Sequence, residues 1–213
     1  MNKTSHILLA AIALIAGCSR PGVQGDGVIK TEDRVIGDFT KIEVTGGYHL
    51  KWAPGKPALN ISADQNLLPL IKTEVSGGTL RIDSTESMAP SKSITITLSG
   101  SSLGEAELTG GIHLTASRLS GDKLKLESEG AAEITVEGAV AKLEANLTGA
   151  SKLNATSLQA QNATLSLIGA SDADVSVSDA LDVSITGAGK LSYAGNPKSI
   201  SKNILGAGSI RQR

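Results

Sequence analysis

Two histidines of the chain stand in the same local motif and could take part in acid–base chemistry. His49 ends the motif Gly46-Gly47-Tyr48-His49, and His113 ends the motif Gly110-Gly111-Ile112-His113. Each alternates with apolar neighbours, which predicts that both point outward from strands as polar members. A histidine beside a carboxylate can transfer a proton during a reaction. The candidate carboxylates for such a pair, if folding brings them close, are Glu105, Glu107 and Glu133.

The rest of the sequence favours a protein without catalysis. Serine is abundant, but the Gly-x-Ser-x-Gly elbow that exposes a nucleophilic serine is absent. Polysaccharide-cleaving sites need clustered carboxylates and aromatic platforms, and Tyr193 is the one aromatic residue after Trp52. We therefore predict no enzymatic activity and no cofactor. A carbohydrate-active enzyme stays open as an alternative, to be tested by substituting Glu133, Asp172 and Asp174.

A local acidic group raises the question of calcium. Calcium binds six or more oxygens from a clustered site. Two of the aspartates, Asp172 and Asp174, alternate with apolar residues, as solvent-facing strand residues do. The Gly-Gly-x-Gly-x-Asp nonapeptide of calcium-binding rolls is absent, so we predict no metal site. The four aspartates are Asp172, Asp174, Asp179 and Asp182.

The N-terminus carries a processing signal. Lys3 precedes an apolar stretch from Ile7 to Gly17, which is too short to cross a bilayer as a helix. The stretch ends in Ile15-Ala16-Gly17-Cys18, which resembles the lipobox of bacterial lipoproteins. The resemblance implies that residues 1–17 are a signal peptide, cleaved before Cys18. It also implies diacylglyceryl attachment to the Cys18 sulfur and acylation of the new terminus, for example with palmitate.

This signal also predicts an address. The lipid at Cys18 makes the membrane a partner, since several acyl chains anchor a protein stably. Ser19, by resemblance to lipoprotein sorting in Gram-negative bacteria, favours the outer membrane. Whether the protein faces the surface or the periplasm stays open. Residues 18–34, with several glycines, are predicted to be a flexible tether.

Composition argues against a nucleic-acid partner. Lys and Arg total 20 against 21 for Asp and Glu, which gives a net charge of −1. No basic cluster or aromatic platform stands out, as nucleic-acid binding requires. A protein or glycan partner remains possible.

The elements that must position these residues come from a repeat. A short phrase of the type Leu-Thr-Gly-Ala recurs at intervals of 20, 19, 20, 18 and 19 residues. A fixed period of this length is typical of repeat architectures. Its central glycines are Gly110, Gly130, Gly149, Gly169, Gly187 and Gly206.

Apolar residues lie two apart on each side of the central glycines, with exceptions such as Ser128, and this is the period of a β-strand. Each copy is therefore predicted as strand, glycine corner, strand and variable return. A coil of about 19 residues is too short for a βαβ unit and cannot bury a core alone. We predict an all-β fold: a single-stranded parallel β-helix, or β-solenoid, with an irregular β N-terminal cap. A β-sandwich of hairpins is the alternative.

The chain also resembles a known family. The residues that carry the resemblance are Phe39-x-x-Ile42-x-Val44-x-Gly46, Asp64-Gln65-Asn66-Leu67-Leu68 and Gly77-Gly78-Thr79-Leu80-x-Ile82, followed by the Gly-Ala repeats. Together they are similar to the auto-transporter adhesin head GIN domain family. The resemblance implies a parallel β-helix-like domain, which we place at residues 35–213. It brings no catalytic motif.

These features lead to one functional expectation and its alternative. We expect a lipid-anchored, non-catalytic solenoid that serves as an adhesion or interaction module. The alternative is a periplasmic envelope-structure protein that binds a glycan or protein partner.

Overall fold

The computed structural model describes residues 22–213. The predicted signal peptide, the lipobox residues Ile15, Ala16 and Gly17, and Cys18 lie outside the described residues. Within residues 22–213 the chain forms strands and one 3-10 turn, Leu68–Leu70, and has no α-helix.

The strands are numbered in chain order. The first nine are β1 (Val23–Gln24), β2 (Ile29–Arg34), β3 (Lys41–Gly46), β4 (His49–Pro54), β5 (Ala58–Asp64), β6 (Ile71–Ser76), β7 (Thr79–Ser84), β8 (Met88–Ala89) and β9 (Thr95–Gly100). The others are β10 (Glu105–Gly110), β11 (His113–Gly130), β12 (Glu133–Gly149), β13 (Lys152–Gly169), β14 (Asp172–Gly187), β15 (Lys190–Ala194), β16 (Ser199–Gly206) and β17 (Ser209–Gln212).

The strands stack in parallel as coils, and this confirms the predicted β-solenoid. Segments that precede the corner glycines form one sheet surface, here called the leading face: β7, β3, β10, the C-terminal halves of β11 to β14, and β16. Segments that follow the corners form the trailing face: β9, β4, the N-terminal halves of β11 to β14, β15 and β17. Register shifts in β11 to β14 mark the return side, where each long strand passes from the trailing to the leading face.

The core lies between the two faces. The alternate positions predicted to be apolar are buried in nearly all coils. One inward column alternates small and large side chains in register, running Ala106, Leu126, Ala145 and Leu165. Such alternation fills a narrow interior without gaps, because a small residue leaves room for the large one beside it.

The N-terminal portion adds a coil that the repeat period did not include. Gly46 pairs in register with Gly110, so that β3 and β4 stack directly on β10 and β11. Residues 55–104 lie between these two coils in sequence and form other strands, which hid the repeat. Beyond this coil, β7 and β9 add one more parallel pair.

Antiparallel strands then close the N-terminal end as the predicted β cap. β6 pairs with β7, while β5 pairs with β9 and β2 pairs with β5. Edge strands of this kind end a stack without offering another parallel coil.

The structure differs from the predicted tether between residues 22 and 34, where the chain forms β1 and β2. The buried Asp64 carboxylate accepts hydrogen bonds from the backbone N–H of Gly27 at 2.8 Å and of Ser91 at 2.9 Å. Asn66 accepts a bond from Asp26 N–H and donates one to the Gln24 carbonyl. These contacts hold the segment on the domain.

The last coil, β16 and β17, breaks the apolar columns. Lys202 and Gln212 occupy inward positions that are Val183 and Tyr193 in the coil before. Lys202 Nζ lies 5.4 Å from the ring centre of Tyr193. Gln212 donates to the Gly195 carbonyl at 2.9 Å. Polar side chains therefore cover the end of the core.

Candidate functional site

The corner glycines form a continuous row. In register they are Gly46, Gly110, Gly130, Gly149, Gly169, Gly187 and Gly206. Gly149 has a φ of 107°, a region that side chains strongly disfavour. A methyl group there would also collide with the Gly130 carbonyl oxygen. The corners therefore require glycine for both conformation and space.

The leading face carries a ladder of ion pairs along its N-terminal coils. Lys41 Nζ lies 2.6 Å from Glu107 and 3.1 Å from Glu43. Lys125 Nζ lies 2.8 Å from Glu105 and 3.1 Å from Glu127. Each lysine thus bridges carboxylates from its own coil and from a neighbour.

These ion pairs bear on whether the acidic residues of the leading face could bind a metal ion. Glu105, Glu107 and Glu127 bring carboxylate oxygens within 4.8 Å of one another, as a metal site would. The Lys125 ammonium, as hydrogen-bond donor, lowers the pKa of Glu105 below its usual value. The Glu107 hydrogen bond likewise raises the pKa of Lys41 above its usual range. Two ammonium groups, those of Lys41 and Lys125, already contact these three carboxylates, and we interpret the ladder as a structural feature.

The trailing face carries a different row, here called the histidine column. Its members, in register from the N-terminal coil onward, are Thr95, His49, His113, Glu133, Lys152, Asp172, Lys190 and Ser209. The His49 and His113 ring centres are 4.6 Å apart. His113 Nε2 lies 3.2 Å from Glu133 Oε2. Both histidines are exposed, in agreement with the outward prediction.

The sequence predicts Glu133 and two other carboxylates, Glu105 and Glu107, as candidate partners for the histidines. The structure brings only Glu133 to His113, because Glu105 and Glu107 lie on the leading face. That the two histidines are neighbours was not predicted from the sequence, because they are far apart in it. The repeated Gly-Gly-x-His motif was the signal that could have shown it, because equal motifs occupy equal places on stacked coils.

The four aspartates weighed as a calcium site do not form one group. Asp172 and Asp174 lie on the trailing face, whereas Asp182 lies on the leading face. Asp172 accepts a hydrogen bond from Lys190 N–H at 3.0 Å. Asp179 pairs with Lys198 at 2.9 Å. Glu133, Asp172 and Asp174 do border one shallow concavity of about 470 Å³, together with Lys152 and Arg213.

A longer concavity follows the return side. This groove of about 790 Å³ crosses five successive coils. Short side chains make most of its lining, with amides among them, as in Gly121, Ala139, Gln159, Gln161, Ser178 and Asn196. None of these carries a charge, so the groove offers hydrogen bonds and close backbone approach.

The lipidation residues cannot be placed, because Cys18 and the lipobox lie outside the described residues. No helix within residues 22–213 has the length and apolar character needed to cross a bilayer.

Comparison with known structures identifies the same fold in several bacterial proteins. Three similar structures are a "putative adhesin" from Bacteroides fragilis NCTC 9343, a "putative lipid binding protein" from Parabacteroides distasonis ATCC 8503 and a "putative adhesin" from Parabacteroides merdae ATCC 43184. Their sequence identities are 20%, 23% and 18%, with TM-scores of 0.71, 0.59 and 0.58. Each match covers 90% of this chain and 98–100% of the other. At such identities the likeness establishes the fold alone.

Sequence comparison gives the family. A search of curated proteins found no match. Residues 38–197 match the family model described as "Putative auto-transporter adhesin, head GIN domain". The match spans most of the chain and contains both faces of the solenoid and the groove. The chain therefore belongs to this head GIN domain family of adhesin-like proteins.

Proposed function

We propose that the protein is a lipid-anchored component of the bacterial cell envelope. It binds an extended partner chain in the groove on its return side. The solenoid acts as an adhesion or interaction module and catalyses no reaction. The observation that carries this proposal is the groove across five coils. A rigid stack holds its lining at fixed spacing, which favours binding of a long partner over a small molecule.

The dimensions of the groove suit an extended polymer. Five coils at a spacing of about 4.8 Å span about 19 Å, the length of some six residues of extended peptide. Gln159 and Gln161 supply amide donors and acceptors, and the alanines beside them leave the backbone accessible. We propose a neutral glycan or peptide segment as the partner.

A substitution that fills the groove tests this function. Ala139 is exposed in the lining, and Ala139→Arg would block the groove with a long side chain. Thr148→Arg adds the same side chain on the leading face, away from the groove, and serves as control. Attachment of cells that carry the full chain is measured in a flow cell against a deletion strain. We expect the deletion and Ala139→Arg to reduce attachment and Thr148→Arg to preserve it. Equal attachment of all strains would contradict the adhesion proposal.

The anchor is tested separately at Cys18. Cells grown with a palmitate analogue should label the wild-type chain, and Cys18→Ala should abolish the label and release the protein from membranes. Labelling of the Cys18→Ala chain would contradict lipidation at this residue.

Protease treatment of intact cells then decides which side of the membrane the domain occupies. Digestion on intact cells supports adhesion at the surface. Protection until lysis supports the alternative, an envelope-structure protein that binds a periplasmic glycan or protein partner.

The enzymatic alternative has one observation in its favour, the shared concavity of Glu133, Asp172 and Asp174. Against it, Lys152 lies in register between Glu133 and Asp172, and Arg213 lies 3.7 Å from Asp174. We expect no polysaccharide turnover by the purified chain. Turnover that is lost in the Glu133→Gln and Asp172→Asn variants would replace the adhesion proposal.

A further inference from the structure

Contrary to the sequence-based prediction of no metal site, we propose that His49, His113 and Glu133 form a binding site for a divalent transition-metal ion of the zinc type. The site lies on the trailing face, where these residues are consecutive members of the histidine column. Two imidazoles and one carboxylate are a common ligand set for zinc, with solvent in the fourth position. The site is separate from the groove and independent of the proposed adhesion function.

Distances within the column fit this chemistry. Zinc–nitrogen and zinc–oxygen bonds of about 2.0–2.2 Å at a tetrahedral angle separate two ligand atoms by about 3.3 Å. His113 Nε2 and Glu133 Oε2 already lie 3.2 Å apart. An ion could therefore replace the contact between them with little movement of either side chain.

The second imidazole is close to the first. The His49 and His113 ring centres are 4.6 Å apart, and their planes are inclined at 56°. The rings are therefore tilted rather than stacked flat. The three ligand atoms do not yet lie within 4.8 Å of one another, so a turn of the His49 side chain would have to complete the site. The backbone fixes this spacing, because β4 and β11 pair in register at both histidines.

The surroundings leave room for an ion and its water. Both histidines border a concavity of about 480 Å³ with Gly47 and Gly111, which have no side chains, and with the loop from Pro90 to Ser93, which includes Lys92. Glu133 borders a different concavity, of about 470 Å³. The ligands are also solvent-accessible, with 52% of the His113 side chain and 59% of the Glu133 side chain exposed. An ion can reach them without opening the fold.

The charges nearby distinguish this column from the leading face. There, Lys41 and Lys125 lie within 3.1 Å of the clustered carboxylates and supply their counter-charge. In the histidine column, Glu133 has His113 as its close partner on one side and Lys152 as its register neighbour on the other. An imidazole is a metal ligand when neutral, whereas a lysine ammonium is not.

Zinc titration by calorimetry tests the site. The full chain is prepared without a polyhistidine tag and with His6→Ala in every sample, so that His49 and His113 are its only histidines. We expect one Zn²⁺ per chain. His49→Ala and His113→Ala should each weaken binding by about tenfold or more, and Glu133→Gln should weaken it by a smaller factor.

Glu107→Gln, which removes a carboxylate of the leading face, is the matched control and should leave zinc binding unchanged. Co²⁺ in place of Zn²⁺ should give the visible absorption of a nitrogen-coordinated ion, and that absorption should vanish in both histidine variants. Absence of zinc binding, or binding that either histidine substitution leaves unchanged, would overturn the proposal. All three ligands are exposed, so circular dichroism should show that each variant keeps the fold.

Discussion

From Gly110 onward, each corner glycine packs directly against the backbone of the neighbouring coil, which leaves no room for a side chain. At Gly149 an added methyl group meets both an unfavourable φ and the Gly130 carbonyl oxygen. We expect Gly149→Ala to lower the free energy of unfolding by about 2–4 kcal/mol, measured by urea denaturation.

The control for this prediction lies in the same motif. A methyl group at Gly111 would meet no atom within 4 Å, and other copies have alanine at the equivalent positions Ala131 and Ala150. Gly111→Ala should therefore change stability by less than about 0.5 kcal/mol. Similar losses in both variants would mean that the corner does not depend on glycine in the way described.

Asp64 links acid sensitivity to the N-terminal segment. Hydrogen bonds from Ser91 and Gly27 stabilise its carboxylate and lower its pKa below the usual value. Its contribution to stability is therefore complete above the unfolded pKa of about 3.9 and is lost as the pH falls through the lower folded pKa.

We expect Asp64→Asn to lower the melting temperature at neutral pH and to flatten its fall between about pH 5 and pH 2. Asp122→Asn, at an exposed position of β11, is the control and should keep the wild-type pH profile. A profile for Asp64→Asn as steep as that of the wild type would rule out Asp64 as a source of the acid sensitivity.

At the scale of the elements, neighbouring coils share buried hydroxyl groups as well as apolar side chains. Ser128 interrupts an apolar column, and its hydroxyl donates to the Ser151 hydroxyl on the next coil at 2.7 Å. The Ala132 N–H also donates to Ser151 at 3.3 Å. The pair thus satisfies polar groups that would otherwise be buried alone.

A double-mutant cycle measures this link between coils. We expect Ser151→Ala to cost about 1–3 kcal/mol, because it leaves the Ser128 hydroxyl without an acceptor. Adding Ser128→Ala should then cost less than it does in the wild type, with a coupling of about 0.5–1.5 kcal/mol by urea denaturation. Additive losses would show that the two hydroxyls are energetically independent.

The elements also show how much of the fold could be predicted from the sequence. Period-2 apolar columns and evenly spaced glycines were enough for the solenoid, since both are local signals. The coil at Gly46 was missed because some fifty residues separate it from its neighbour at Gly110. The folding of residues 22–34 into β1 and β2 was not predicted, because Asp64 and Asn66, which bind that segment, lie far along the chain. The proposed zinc-type site lies partly on that unpredicted coil, so only its two Gly-Gly-x-His motifs could be recognised in the sequence.

At the scale of the whole molecule, the final coil carries a feature that opposes pairing of another chain with its exposed edge. Ile200 and Ile204 remain about 40% exposed there, but Lys202 places a charge between them. A charged residue on an edge makes pairing with another chain costly, because the charge would have to leave water.

We therefore expect Lys202→Val to promote self-association by restoring an apolar column, since a buried valine contributes about 1.5–3 kcal/mol. Ser201→Val adds the same side chain on the outward side of β16 and should leave the chain in its wild-type state. Sedimentation velocity over a range of concentrations distinguishes them. If Lys202→Val sediments like the wild type throughout, the charge is not what keeps this edge unpaired.

The stacked coils also define how the molecule would respond to tension. A chain held at its N-terminus and pulled at its far end would lose β16 and β17 first, because that coil is bonded on one side only. Each released coil of about 19 residues lengthens the chain by about 65 Å. Optical tweezers should therefore record extension in repeated steps of that size. For an adhesion module, such stepwise lengthening would absorb mechanical work while the contact with the partner is kept.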